Sequence, residues 1–318
     1  MGQTLTEPVT SKETASVEDA KWKVGSSSMQ GWRATMEDSH THILSLPDDP
    51  DTVFFAVYDG HGGAEVAQYA GKNFHKFIAA NSDFMSGKTV IGLKNAFLEF
   101  DRSMLDQNIA RGDNTGSTAI VVVVRFGTLY CANIGDSRCV ACVNGKVVEL
   151  SADHKPNLPS ERERIMNAGG FVDFNRVNGN LALSRAFGDF AYKKNMERSA
   201  EQQMLTAVPD IQELPLSRSL EFLILACDGI WDVISSHDAV NFVRKRIGEN
   251  QEPEEICEAL IDHCLAPECD MGGLGCDNMT VIIAAYLNGE SYSSLASRCR
   301  QVVMSQQPGP ATPQPMPS

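Results

Sequence analysis

Acidic residues stand where apolar stretches meet turn residues in several separate parts of this 318-residue chain. The segments are Asp59-Gly60, Gly135-Asp136, Asp228-Gly229, Asp277-Asn278 and the pair Glu37-Asp38. Taken singly, each acid is an ordinary turn or helix-cap residue. If all five segments meet at one end of a sheet, their carboxylates repel one another strongly unless cations neutralise them. An oxygen-only ligand set, without zinc-type His/Cys spacing, favours Mg²⁺ or Mn²⁺.

The segment that ends at Asp59 has the strongest local pattern. Residues 53–58 are apolar and rich in strand-forming side chains, and Asp-Gly-His-Gly-Gly follows at 59–63. This pattern predicts a buried strand that delivers Asp59 into a turn where glycines let the backbone come close to an ion. Apolar residues at helical spacing predict a helix over 64–80. Taken alone, the segment leaves open that Asp59 only caps this helix.

The elements that position these carboxylates are mainly strands. Apolar runs predict strands at 22–30, 119–126, 128–134, 138–143, 146–150, 221–227 and 279–286. Helical spacing predicts helices at 91–110, 239–247 and 254–265, with a shorter one that begins at Pro159 and ends at Gly169-Gly170. Residues 171–205 are irregular, and we interpret them as an ordered flap beside the site.

Composition excludes several function classes. The chain is 42% hydrophobic with a net charge of −14, which argues against a nucleic-acid surface or a polybasic membrane patch. The sequence has no apolar run of about 18 residues, so it predicts no transmembrane helix, and no signal-peptide pattern is present. Nine scattered cysteines indicate reduced thiols in the cytosol or nucleus. Cys257, Cys264, Cys269 and Cys276 are too irregularly spaced for a zinc motif, so thiols are predicted there too.

The two ends of the chain are predicted to lie outside the folded domain. Residues 1–21 are polar and aperiodic and predict a flexible arm. The chain becomes rich in Gln and Pro from Ser297, and we predict a disordered tail over 291–318. The opening residues fit the N-myristoylation pattern, with Gly2 as acceptor and Thr6 at the favoured position. A single myristoyl chain gives only weak, reversible membrane binding.

Several ordered motifs together resemble the PPM/PP2C family of metal-dependent serine/threonine protein phosphatases, from about residue 24 to 286. The motifs are Met29-Gln30-Gly31-Trp32-Arg33 with Met36-Glu37-Asp38, Tyr58-Asp59-Gly60-His61-Gly62-Gly63, Gly116-Ser117-Thr118-Ala119, Asn133-Ile134-Gly135-Asp136-Ser137-Arg138, Leu183-Ser184-Arg185-Ala186 with Gly188-Asp189, Ala226-Cys227-Asp228-Gly229-Ile230-Trp231-Asp232, and Asp277-Asn278-Met279-Thr280. The resemblance implies an α+β fold, a four-layer α-β-β-α sandwich with two antiparallel sheets flanked by helices. It places the phosphatase domain at 22–290, with the flap near 171–205.

The resemblance also implies a role for each matching residue. Asp59 would bridge two Mn²⁺ or Mg²⁺ ions, the Gly60 carbonyl and Glu37 would serve one of them, and Asp228 and Asp277 would hold the other. Asp136, Asp228 and Asp232 correspond to a weaker third ion. Arg33 would bind the phosphate, Asp38 would orient metal-bound water, and His61 would protonate the leaving seryl or threonyl oxygen.

The predicted function is hydrolysis of phosphoserine and phosphothreonine in proteins, by attack of a metal-bridging water or hydroxide on phosphorus. The expected protein is a monomer, cytoplasmic or nuclear, with weak membrane association if Gly2 is acylated. Two alternatives remain open: a catalytically silent member that binds phosphoproteins, and a metal-dependent hydrolase of small phosphate esters. Because the carboxylates and Arg33 are all present, the sequence favours the protein phosphatase.

Overall fold

The computed structural model describes residues 4–47, 49–110, 114–269 and 273–301. Within these ranges the strands are β1 (Thr4–Glu18), β2 (Trp22–Arg33), β3 (Ser39–Ile43), β4 (Val53–Tyr58), β5 (Gly60–His61), β6 (Gly116–Ser117), β7 (Ala119–Arg125), β8 (Thr128–Ile134), β9 (Arg138–Val143), β10 (Lys146–Glu149), β11 (Val172–Asp173), β12 (Arg176–Val177), β13 (Phe187–Gly188), β14 (Asp210–Pro215), β15 (Leu220–Ala226) and β16 (Met279–Tyr286). The α-helices are α1 (Glu65–Ala80), α2 (Ser82–Met85), α3 (Thr89–Asp106), α4 (Pro159–Asn167), α5 (Asp228–Trp231), α6 (Ser236–Gly248), α7 (Pro253–Cys264) and α8 (Tyr292–Arg300). Short 3-10 turns span Phe190–Tyr192 and Ala200–Gln202.

Two large antiparallel sheets form the centre of the molecule. One has the strand order β1-β2-β16-β15-β9-β10, and the other has the order β14-β8-β7-β4-β3. Turn chemistry fixes the hairpins: Asn144 and Gly145 both have positive φ between β9 and β10, as a two-residue type I′ turn requires. A small sheet, β13-β6-β5, lies at one end of β4.

The central strands β4, β7, β15 and β16 are buried on both faces, because apolar side chains pack three successive layers. Trp22, Phe55 and Leu223 belong to the layer between the two sheets. Phe54 and Tyr58 face helices α1 and α3 in a second layer, and a third layer packs α6, α7 and α8 on the six-stranded sheet. The predicted four-layer α-β-β-α sandwich is confirmed.

Most predicted elements lie within three residues of the observed ones, but the N-terminal arm is wrong for the residues described. Thr4–Glu18 form β1, which pairs with β2 from Thr4↔Arg33 to Glu18↔Lys23. Backbone pairing, rather than an apolar face, holds this edge strand, since most of its side chains are exposed. Gly2 lies outside the described residues.

The predicted disordered tail is also wrong at its start. Tyr292–Arg300 form α8, which Ser291 caps by accepting from the Ser294 N–H at 3.2 Å. Leu295, Ala296 and Cys299 pack this helix into the core. Residues 302–318 lie outside the described part of the chain.

The cysteine prediction needs one correction. Cys269 and Cys276 form a disulfide with their Cα atoms 5.9 Å apart, although free thiols were predicted at both positions. The Cα separation lies within the range that a disulfide can bridge. The other seven cysteines are free and buried, as predicted. No helix among the described residues is long and apolar enough to cross a membrane.

Candidate active site

A cleft of about 730 Å³ lies where the strands of the two sheets end. Its lining includes nearly all the residues that the sequence singled out: Arg33, Glu37, Asp59, Gly60, His61, Asp136, Asp228 and Asp277. Two predicted residues are not in the lining. Asp38 is buried beneath it, and Asp232 lies one helical turn beyond Asp228 on an exposed surface.

The sheet architecture brings the carboxylates together. Asp59 follows β4, Asp228 follows β15 at the start of α5, and Asp277 immediately precedes β16. Gly60 allows the loop that carries Glu37 to approach, because a Cβ there would lie 2.3 Å from the Glu37 carbonyl oxygen. Segments far apart in sequence thus present acidic side chains to one cleft.

Burial and crowding both shift the pKa values of these carboxyls. Removal from water raises the pKa of Asp59 well above its usual range, and Asp228, Asp38, Asp136 and Asp277 raise it further. The pKa of Asp228 is raised in the same way, by burial first and then by Asp136 and Asp277. Such a cluster is far more stable with a bound cation, and its oxygen donors fit Mg²⁺ or Mn²⁺.

Cys227 is a neighbour that the sequence did not identify as part of the site. Ligand atoms of Asp38, Asp59 and Cys227 lie within 4.8 Å of one another. Burial, followed by Asp38 and Asp59, raises the pKa of the Cys227 thiol well above normal. Oxygen donors still predominate in the cleft, and a hard, oxygen-rich site favours Mg²⁺ or Mn²⁺ over zinc.

Asp38 and Asn278 organise the loop between β2 and β3. Asp38 accepts a 2.7 Å hydrogen bond from the Thr280 hydroxyl, and burial raises its pKa to about 7, opposed by that hydrogen bond and assisted by Asp277 and Glu37. Asn278 accepts from the Glu37 N–H at 2.9 Å and donates to the Gln30 and Thr35 carbonyls. Sequence reasoning treated Asn278 only as a turn residue, because its partners lie more than 240 positions away.

Arg33, at the end of β2, forms an ion pair with Asp277 through Nη2. About a third of its side chain is exposed, and it lines the cleft. The guanidinium has further donors, in a planar fork that matches phosphate oxygens. Its location agrees with the predicted phosphate-binding role, which nothing in the structure tests directly.

His61 has a buried acidic partner that the sequence did not reveal. Its Nε2 lies 2.6 Å from Oδ2 of Asp189, and the second oxygen of Asp189 is buried without a hydrogen-bond partner among the described residues. The small sheet β13-β6-β5 joins the two segments across Gly116. A Cβ at Gly116 would lie 2.1 Å from Asp189 Oδ2 and 2.7 Å from His61 Nε2, so a glycine is needed there.

The electrostatic balance at His61 favours its charged form. Burial lowers its pKa, but the charge and hydrogen bond of Asp189, with smaller contributions from Asp136 and Glu37, outweigh burial and raise the pKa above the usual value. Sequence reasoning quoted Gly188-Asp189 as part of a motif without assigning a role. His61 and Asp189 are 128 positions apart in the sequence, so no local pattern reveals the pair.

Lys155 was also missed as a site residue. Its ammonium forms an ion pair with Asp136. The preceding residue, His154, is bonded on both sides to Gly135, since His154 N–H donates to the Gly135 carbonyl at 2.9 Å and Gly135 N–H donates to His154 Nδ1 at 3.2 Å. The loop that carries Lys155 is therefore fixed against the segment that carries Asp136.

The flap contacts the cleft and rests on its own charge network. Arg176, Leu181, Ala182 and Leu183 line the cleft. Beneath them lies a set of charged side chains that we call the flap network: His154, Glu161, Arg164, Arg185 and Asp210. Glu161 accepts hydrogen bonds of 2.7 Å from Arg164, Arg185 and the Ser184 hydroxyl, and Arg185 also donates to Asp210 at 2.8 Å.

Known proteins share this architecture. The family pattern described as Protein phosphatase 2C matches residues 22–271. The chain belongs to the protein phosphatase 2C family. A probable protein phosphatase 2C of Caenorhabditis elegans is 53% identical over 299 residues, which cover 94% of this chain and 84% of that protein. A protein phosphatase 2C homolog 2 of Schizosaccharomyces pombe is 45% identical, over 98% of this chain and 86% of that protein.

Solved structures agree with this assignment. The crystal structure of a phosphatase from Toxoplasma gondii has a TM-score of 0.74 and 28% identity, and the match covers 87% of this chain and 96% of that chain. As a protein phosphatase 2C, the chain is an enzyme, a hydrolase that acts on phosphoproteins. The metal dependence of the family agrees with the acidic cleft.

Proposed function

We propose that this protein phosphatase hydrolyses phosphoserine and phosphothreonine with the help of two Mn²⁺ or Mg²⁺ ions. The observation that carries the proposal is the convergence of five carboxylates in one cleft with Arg33 and the His61–Asp189 pair. Crowded carboxylates suit metal binding, the unoccupied donors of a guanidinium suit phosphate, and a charged imidazole suits a leaving alkoxide.

The proposed metal-ligand roles are those that the family resemblance implies, and the shared cleft supports them. Glu37, Asp59 and the Gly60 carbonyl would hold one ion, with Asp59 shared with a second ion held by Asp228 and Asp277. Asp136, Asp228 and Asp232 would form a weaker third site. When bound, the ions supply a water of lowered pKa as nucleophile and neutralise charge on the phosphoryl group.

The other residues bind and move protons. Arg33 orients the phosphate through the guanidinium donors that Asp277 does not occupy. Asp38, whose pKa is about 7, orients the attacking water. Because Nε2 of His61 is bonded to Asp189, Nδ1 is the nitrogen that gives its proton to the leaving seryl or threonyl oxygen.

The decisive experiment is hydrolysis of a phosphothreonine peptide by metal-stripped protein, with Mn²⁺ or Mg²⁺ added back and EDTA as control. We expect activity only with metal, and none in Asp228→Asn. A folded, metal-loaded protein without activity would support the silent, phosphoprotein-binding alternative. Faster turnover of nucleotides than of phosphopeptides would support a small-ester hydrolase.

We also propose a monomer of the cytoplasm or nucleus that associates weakly with membranes through myristoylated Gly2. The motif at Gly2 supports acylation. Thr4 pairs with Arg33, so the start of β1 lies beside the cleft and an acyl chain there would bring the cleft close to the bilayer. Vesicle flotation of the protein co-expressed with an N-myristoyltransferase, compared with Gly2→Ala, tests the anchor. Light scattering tests the oligomeric state.

A further inference from the structure

The proposed third metal site contains a positively charged side chain of the protein itself. Lys155 Nζ forms an ion pair with Oδ2 of Asp136, which is 6% exposed. About a third of the Lys155 side chain is exposed, so the ammonium lies at the border between cleft and solvent. Neither composition nor local pattern drew attention to this lysine.

The backbone holds Lys155 in place from the N-terminal side. His154 is bonded to Gly135 through both its main chain and its ring. Asp153, the residue before it, accepts two hydrogen bonds from Arg138, at 2.6 and 2.9 Å. Gly135 and Arg138 flank Asp136 closely in sequence, so the lysine and its partner are carried by two segments that are bonded together.

The ammonium acts on a carboxylate that belongs to the proposed third site. Lys155 pairs with Asp136, and Asp136 and Asp228 line the same cleft. Lys155 therefore neutralises charge at one of the oxygen ligands that the third ion would need.

A divalent ion and an ammonium cannot both use the same oxygen of Asp136. The Nζ atom already occupies Oδ2, and a cation placed beside it would meet the repulsion of a full positive charge at short range. Among the described residues, the only ion pair made by a ligand of the two main sites alone joins Asp277 to Arg33, and no ammonium pairs with Asp59 or Glu37.

We propose that Lys155 is a built-in competitor for the third cation, so that the third ion binds only by displacing the ammonium from Asp136. Lys155 keeps Asp136 neutralised while the two main sites are filled, and it makes the third site weak. This inference rests on the proposed metal centre.

The test is Mn²⁺ binding measured by calorimetry on metal-stripped protein, with no substrate present. Lys155→Met should tighten the weak third site by about tenfold or more while the two tight sites change little. Lys155→Gln is a second neutral variant in case the first folds poorly, and Lys155→Arg, which retains the charge, should leave the weak site close to wild type. Asp136→Asn should remove the weak site in every background.

Lys23→Met is the matched control. It removes the same charge and the ion pairs with Glu18 and Glu252, at the far end of β2, about 30 Å along the strand from Arg33. It should not change the third site. If both neutral variants keep the two tight sites but bind the third ion no more tightly than wild type, the competition by Lys155 is rejected and the metal centre is not. A wild-type protein that binds no Mn²⁺ would reject the metal centre and the competition together.

Discussion

The cleft and the flap network place acidic side chains in similarly dry surroundings, with opposite electrostatic results. In the cleft, Asp59 and Asp228 face other carboxylates, and their pKa values are raised. In the flap network, burial would raise the pKa of Glu161, but Arg185 and Arg164 overcome it and lower the pKa to about 2. This difference distinguishes a binding site from a structural network. The carboxylates around Asp59 and Asp228 need a cation from outside, whereas Glu161 in the flap network is neutralised by arginines of the protein itself.

The largest expected effect comes from removing a cleft carboxylate. Asp59→Asn should abolish phosphopeptide hydrolysis through lost metal binding. It should also raise the thermal stability of the metal-free protein, because one of the mutually repelling charges is gone. Turnover assays and thermal unfolding in EDTA measure the two effects. Normal metal affinity and rate in this variant would refute the bridging role of Asp59.

Removal of an acid from the flap network should lower the stability of the protein instead of raising it. Glu161→Gln leaves Arg164 without its carboxylate and Arg185 with Asp210 alone, and should cost about 3–5 kcal/mol of unfolding free energy. The variant should still bind Mn²⁺ at the two main sites. Urea denaturation measures the loss, with Glu163→Gln, exposed on the same helix, as the matched control that should stay within about 0.5 kcal/mol of wild type. Equal stability of both variants would show that the network does not stabilise the fold.

Acidic pH should weaken the same network. The pKa of Glu161 is about 2 in the folded state and 4.5 ordinarily, so its contribution, about 3 kcal/mol, is fully present above pH 4.5 and is lost as the pH falls toward 2. The difference in unfolding free energy between wild type and Glu161→Gln should therefore shrink over this range. A difference that stays constant from pH 6 to pH 3 would contradict the assignment.

The His61–Asp189 pair is intermediate between the cleft carboxylates and the flap network, because one buried acid is paired with one titratable base. His61→Ala should slow hydrolysis of a phosphothreonine peptide by about 10²-fold while metals still bind. The loss should be milder on p-nitrophenyl phosphate, whose leaving group needs no proton. Equal losses on both substrates would argue against a general acid.

Asp189→Asn should have a smaller effect than loss of the imidazole. It keeps the shape but removes the charge that favours protonated His61, so we expect a loss of about tenfold on the phosphopeptide. The alkaline limb of the pH–rate profile should also move to lower pH, because His61 would lose its proton more easily. A purely structural role for Asp189 would lower activity without moving that limb.

The sequence predicted what depends on apolar pattern and on local motif. The strands before Asp59 and Asp228 are continuous apolar runs, so their ends, and the acids at those ends, could be located. Strand β1 was not predicted because most of its side chains are polar and its backbone alone carries the pairing with β2. The partners of His61, Asn278 and Asp136 were not predicted because they come from other segments of the chain. A single sequence does not show which distant residues meet.

His154 has a mechanical consequence beyond its hydrogen bonds. Its ring joins Gly135 to Asp210, and its carbonyl accepts from the Ser184 N–H of the flap at 3.1 Å. His154 thus connects three segments through its ring and its carbonyl: the segment before Asp136, the start of β14 and the flap. The loop that carries Lys155 and the Ser184 segment of the flap are therefore fixed to each other by a single residue.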